Sequence, residues 1–272
     1  MKKQSDRSDR PNRTTLPMTR RGVLTRAVGL TAVGVGGFSG IAASQPVTTV
    51  EVSEGMLGNF YTTDDLPVVD ELLVFVHGWF GDSTVVSQTA DVRDSIEDGG
   101  YDPDAVVAVE WPATNFLYTD AESDTESVGE VVAELIEDFS DAGGGSIRLT
   151  GHSLGGRIVY WASSKISAGY TIDTVGAMGT AAEGSNVCFG GDWDEDIATG
   201  AGTVRNYHSL NDTTVGSAYG FFGQPALGTE GAACSGPGNY TDVDVTGTVG
   251  SHLDYLGDTQ VGSDFAAVVL SD

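Results

Sequence analysis

The chain has 272 residues, 40% of them hydrophobic, which suffices for one sizeable core and argues against disorder. Thirteen Lys and Arg face 39 Asp and Glu, a formal net charge of −26, which disfavours a nucleic acid or an anionic membrane as partner. Eight of the basic residues precede Ala43, with Asp6 and Asp9 the only acids there. From Ser44 onward five basic residues stand against 37 acidic ones.

Residues 1–19 are polar and basic, contain Pro11 and Pro17, and lack apolar periodicity, as expected of a disordered leader. Thr19-Arg20-Arg21-Gly22-Val23-Leu24 matches the twin-arginine export pattern. Ala27 to Ala43 is a short, Leu-poor apolar run with five glycines, better suited to cleavage than to a retained anchor. Residues 1–43 are therefore expected to be a signal peptide, read by the twin-arginine machinery, and 44–272 a single domain. This implies a secreted or envelope protein with no stable membrane span after processing. Cys188 and Cys234, in an exported protein, are expected to pair; the alternative is two buried thiols.

The body alternates short β-rich runs with helical stretches, the pattern of an α/β fold with a mostly parallel sheet covered on both faces. Residues 47–52 read as an edge strand. ELLVFV (71–76) and AVVAVEW (105–111) are continuous apolar runs suited to strands buried on both faces. Between them, 83–98 has helical spacing and ends at Gly99-Gly100. Residues 127–139 place Val128, Val131, Val132, Leu135, Ile136 and Phe139 on one helical face. SIRLTG (146–151) is a strand leading into a helix over 157–167. Further strands are expected at 171–178 and 203–210, and a terminal helix or strand at 265–270. Gly-rich 184–202 and 216–238 read as loops over the carboxyl edge of the sheet.

Gly151-His152-Ser153-Leu154-Gly155 fits G-x-S-x-G between that strand and that helix. Such a turn is strained and lifts a serine hydroxyl above the sheet. Its glycines avoid collisions of Cβ with the neighbouring strand and helix. The following helix N-terminus favours an oxyanion. Upstream, His77-Gly78-Trp79-Phe80 follows the first buried strand. Acyl transfer needs two backbone N–H donors aimed at the oxyanion, and Leu154 and Trp79 are the candidates. His77 is expected to hold its loop rather than act as a base.

A strand followed by HGWF, a later GHSLGG, and an Asp then a His toward the C-terminus resemble the α/β-hydrolase superfamily, closest to its lipase and esterase branches. The resemblance spans roughly residues 70–270. It implies an eight-stranded sheet or a trimmed version, hydrolysis of a small-molecule or lipid ester, and no cofactor. Ser153 would be the nucleophile and His252, in a late glycine-flanked loop, the base, since His77 and His152 belong to the two loops and His208 lies inside a strand pattern. Asp212, just after the strand ending at Leu210, would be the acid; Asp173 and Glu183 are the fallbacks, and an Asx-turn role is the structural alternative. Trp79, Phe80, Trp111, Phe116, Leu117, Tyr118, Phe221 and Phe222 are candidates for an acyl pocket or for ordinary loop packing. A thioesterase or peptidase on the same scaffold and a catalytically silent binding protein remain alternatives. The acidic body also resembles proteins of extreme halophiles, archaeal above all, whose self-repulsion is screened where the Debye length falls to about 3 Å at 1 M salt.

Overall fold

The computed structural model describes residues 44–114, 117–220 and 224–272. The expected signal peptide, Phe116, Phe221 and Phe222 lie outside the described residues.

The elements follow in chain order. They begin with β1 (Val47–Glu51), β2 (Ser53–Glu54), β3 (Phe60–Tyr61) and β4 (Glu71–Val76). Next come α1 (Val85–Asp98), β5 (Ala105–Glu110), α2 (Tyr118–Asp141), β6 (Ser146–His152), α3 (Leu154–Lys165) and β7 (Ile172–Met178). The chain closes with α4 (Asp194–Gly200), β8 (Ala201–His208), α5 (Thr213–Tyr219), β9 (Tyr240–Asp244) and α6 (Thr259–Val269).

Seven strands form one sheet in the order β1-β5-β4-β6-β7-β8-β9, and every pairing in it is parallel. β2 and β3 make a separate antiparallel hairpin. The apolar runs behave as strands buried on both faces must: Leu72, Leu73, Val74, Phe75 and Val76 are each 1% exposed or less. One face carries α2 and α3, with Val128, Val132, Leu135 and Ile158 in the core. The other carries α1 and α6, with Val92, Ile96, Val261 and Phe265. Each such fully buried side chain contributes about 1.5–3 kcal/mol of transfer free energy. Asp258 caps α6, its Oδ1 accepting from the backbone N–H groups of Gln260 and Val261.

The structure corrects several expectations. Among the described residues the sheet has seven strands, the trimmed version of the expected eight. The last segment is a helix, and it begins six residues earlier than the apolar run at 265–270 suggested. α2 starts at Tyr118, two turns before the amphipathic stretch, because DAESDTE is solvated on its outer side and shows little apolar periodicity. The region 184–202 is not all loop: it holds α4. The region 216–238 takes in the end of α5, and β9 follows it. Cys188 and Cys234 are bonded, with Cα atoms 5.9 Å apart, tying the loop after β7 to the loop before β9.

From β4 the chain passes through α1 to β5 on one side, then returns through α2 to β6 on the other side of β4. The strand order therefore reverses between β4 and β6, and the carboxyl ends of these two parallel strands open a crevice.

Candidate active site

Ser153 sits at that crevice. It occupies the single-residue turn between β6 and α3 with φ 59° and ψ −118°, a conformation costly for a residue with a Cβ. The turn is fixed from both sides: the Ser153 N–H donates to Met178 O, and the Ser153 carbonyl accepts from Gly156 and Ala181. A side chain at Gly155 would run into the carbonyls of Val76 and His77. At Gly78 a Cβ would stand 2.7 Å from the Cβ of Ser153 and 3.3 Å from its Oγ. The loop after β4 thus packs its backbone directly against the serine, which only glycine permits. That closeness places Trp79 beside Ser153, while Leu154 begins α3, whose leading N–H groups lack intrahelical acceptors.

His77 holds this loop. Its Nδ1 lies 2.7 Å from Gly78 O, so Nδ1 carries the proton, and Nε2 accepts from the Trp111 N–H. Trp111 returns an indole N–H to His77 O at 2.8 Å. Burial lowers the His77 pKa to about 4, so the ring is neutral.

Asp212 is fully buried and caps α5, its Oδ1 accepting from Val215 N at 3.1 Å. Its Oδ2 accepts from His252 Nδ1 at 2.7 Å. The residue is therefore both a helix cap and the partner of a histidine, since the two oxygens do separate work. Nδ1 of His252 being the donor, its Nε2 is left as the basic nitrogen. The loops bearing the two residues are stitched together: Ser209 Oγ and Asn211 Nδ2 donate to Val249 O, and Asn211 Nδ2 also reaches Thr246 O. Tyr255, fully buried, donates to Gly228 O behind the pair. Of the fallback acids, Asp173 lies at the opposite end of the sheet, accepting from Ile147 N, and Glu183 accepts from Ser185 Oγ. His208 donates from Nδ1 to Thr229 O and stands apart from the pair.

Ser153 and His252 line one cavity of about 320 Å³. Its other walls are Trp79, Tyr118, Ala181, Thr214, Val215, Ala218 and Tyr219. Tyr118 and Tyr219 meet across it, hydroxyl to hydroxyl at 2.6 Å. Tyr219 donates on to Glu122, which pairs with Arg157 at 3.5 Å, so Tyr118 supplies the proton between the phenols. Burial pushes the Tyr118 pKa up to about 12 and keeps it a neutral hydroxyl. Trp79 stacks edge-on with Tyr118 at 5.2 Å. Of the other aromatic candidates, Trp111 is buried behind His77, while Phe80 and Leu117 are half-exposed at the rim.

Sequence reasoning missed Ser209, Asn211, Tyr219 and Tyr255, which lie in segments without periodicity. The neighbourhood of Asp212 in sequence was the one signal for Ser209 and Asn211. Among the described residues no group of three or more His, Cys, Asp or Glu is arranged to hold a metal ion. No described helix is long and apolar enough to cross a membrane.

A parallel sheet whose strand order reverses between β4 and β6, a strained serine at the carboxyl end of β6, and Asp-bearing and His-bearing loops after later strands define an α/β-hydrolase fold. No family model matches the sequence, and no curated protein matches it. Solved structures do resemble it. An acetylxylan esterase is 15% identical with a TM-score of 0.47, over 75% of this chain and 98% of that one. An esterase domain from Rhodothermus marinus is 16% identical with a TM-score of 0.45, over 81% and 95%. A lipase from Bacillus licheniformis in its mature form is 14% identical with a TM-score of 0.44, over 77% and 93%.

Proposed function

We propose that this chain is a serine hydrolase of carboxylic esters acting through an acyl-enzyme. The observation that carries the reading is the 2.7 Å Asp212–His252 pair opening onto the cavity that also bears Ser153. In the proposed reaction His252 Nε2 takes the Ser153 proton as Oγ attacks the ester carbonyl. The N–H groups of Leu154 and Trp79 receive the oxyanion, and His252 returns the proton to the leaving alcohol. Water, activated by the same imidazole, releases the acid. Asp212 holds the tautomer and balances the imidazolium. Among the described residues that line the cavity no carboxylate, lysine or arginine appears, which favours a neutral ester.

The surface charge and the leader belong to the same proposal. All five basic residues from Ser44 onward are already ion-paired: Arg93, Arg148, Arg157, Lys165 and Arg205. The 37 acids there far outnumber these partners, which fits a body built for molar salt and exported by the twin-arginine route. Greatest thermal stability at low ionic strength would contradict the salt adaptation.

The reaction is tested in molar salt with a fluorophosphonate probe and p-nitrophenyl esters of graded chain length. The protein is expected to be labelled at Ser153 and to hydrolyse the esters. Ser153→Ala should keep its melting temperature and lose both. A folded Ser153→Ala protein with undiminished hydrolysis overturns the mechanism.

A further inference from the structure

We propose that His152, the residue between Gly151 and Ser153, is a positioning residue that keeps the His252 loop in register with the serine by donating its Nε2 proton to the His252 backbone carbonyl. The inference rests on the ester-hydrolase reading above and adds to it a side chain that touches no substrate.

The His152 Nε2 lies 2.6 Å from His252 O. A carbonyl oxygen only accepts, so Nε2 carries the proton. The two imidazole rings also pack, with centroids 4.5 Å apart, and Tyr255 closes the other side at 6.2 Å. His152 is 3% exposed, and burial, then the neighbouring His252, lowers its pKa to about 3. It is thus a fixed neutral donor to the His252 carbonyl.

The geometry gives this contact a specific task. His252 lies in a segment without helix or strand between β9 and α6, held by turns such as Asp254 N–H to Ser251 O. Asp212 fixes its ring at Nδ1. That bond alone leaves the backbone free to pivot about the carboxylate. The second tether, to the carbonyl of the same residue, comes from the side chain immediately preceding the nucleophile. One hydrogen bond therefore joins the backbone of the base to the strained turn that carries Ser153. Loss of such a constraint shifts the base by a fraction of an ångström, which costs rate rather than substrate binding.

The test uses three variants in molar salt. His152→Phe keeps a buried ring and removes the donor. His152→Gln keeps an Nε2–H at comparable reach, and His152→Asn has the same group on a shorter arm. Measured are kcat and KM on p-nitrophenyl acetate, the rate of fluorophosphonate labelling of Ser153, and the melting temperature. Expected is a fall in kcat and labelling rate of about 10- to 100-fold in His152→Phe with KM little changed, and recovery to within a few-fold of the unaltered protein in His152→Gln. An unaltered kcat in folded His152→Phe, or a His152→Gln protein as slow as His152→Phe, overturns the proposal. Should His152→Phe not fold, His152→Gln against His152→Asn decides: activity in Gln and loss in Asn supports the tether, and equal rates overturn it. An unaltered protein inert to the probe overturns the hydrolase reading and this inference together. A reactive protein indifferent to all three changes overturns the role of His152 alone.

Discussion

The two ends of β6 treat charge in opposite ways. Near its amino end, Arg148 has a side chain 5% exposed and meets Glu71 at 3.2 Å, Thr174 at 2.7 Å and Asp272 at 2.9 Å. Tyr101 donates to the same Glu71 oxygen. The guanidinium fork is engaged on both its Nε and Nη1 sides, so the site is closed and serves to hold β4, β6, β7 and the C-terminal residue together. Five residues on, past the carboxyl end of the strand, Ser153 stands in a strained turn at an apolar cavity. Asp212 there is wholly buried but spends only one oxygen on capping, and the other on a histidine whose second nitrogen remains for chemistry. A network whose charges meet their partners stabilises; a buried carboxylate that holds a histidine beside a cavity suits the proposed reaction.

Breaking the carboxyl end should give the largest effect. Asp212→Asn keeps an oxygen able to cap α5, so the melting temperature should move little. It removes the acceptor that fixes the His252 tautomer, and kcat on p-nitrophenyl esters should fall about 10⁴-fold. A folded variant with more than a tenth of the activity would show that the pair does not orient the base. Breaking the amino end should do the reverse. Arg148→Met strips two carboxylates of their cation. Both keep about a third of their side-chain surface in water, at 36% for Glu71 and 34% for Asp272. The cost is therefore reduced from the 3–5 kcal/mol of a fully buried pair to about 2 kcal/mol, read by denaturant unfolding. The kcat of that variant should be unchanged; a kcat loss matching the stability loss would mean that the two ends are coupled.

The same contrast explains what was legible in the sequence. β4 and β5 are runs of consecutive apolar residues because both their faces are covered, so their burial is written locally. The turn at Ser153 is equally local: glycine at 151 and 155 answers to backbone that lies within a few residues or on the adjacent strand. Asp212 and His252 were reachable through chain order after a strand and before a final element. The supporting parts were not. His152 donates to a carbonyl 100 residues away, Tyr219 meets Tyr118 across 101 residues, and Ser209 reaches 40 residues to Val249. None of these contacts leaves a period in the sequence. β9 escaped notice because YTDVD, at the sheet margin, is only partly buried and carries two aspartates. The first turns of α2 were hidden by their acidity, although Tyr118 on them lines the cavity and Glu122 accepts from the lining Tyr219.

Acid sharpens the comparison by titration rather than by substitution. His77 and His152 both lie at the carboxyl end, and burial lowers their pKa values to about 4 and about 3. In the unfolded chain each returns to about 6.5, so between pH 6.5 and 4 the unfolded state binds more protons than the folded one. Stability supplied by keeping these rings neutral is present above pH 6.5 and is lost as pH falls through that window, by at most about 1.4 kcal/mol per pH unit for each ring. Arg148 at the amino end keeps its charge throughout that window. Protonation of surface carboxylates acts in the opposite sense by relieving repulsion, and molar salt suppresses that contribution. Unfolding measured in molar salt from pH 7 to 4.5 should therefore show stability falling with acid, with a shallower slope in His152→Gln. Hydrogen exchange at the lower pH should open residues 77–80 and 250–256 before 146–148. Uniform opening, or an unchanged slope in His152→Gln, would remove the distinction between the two ends of β6.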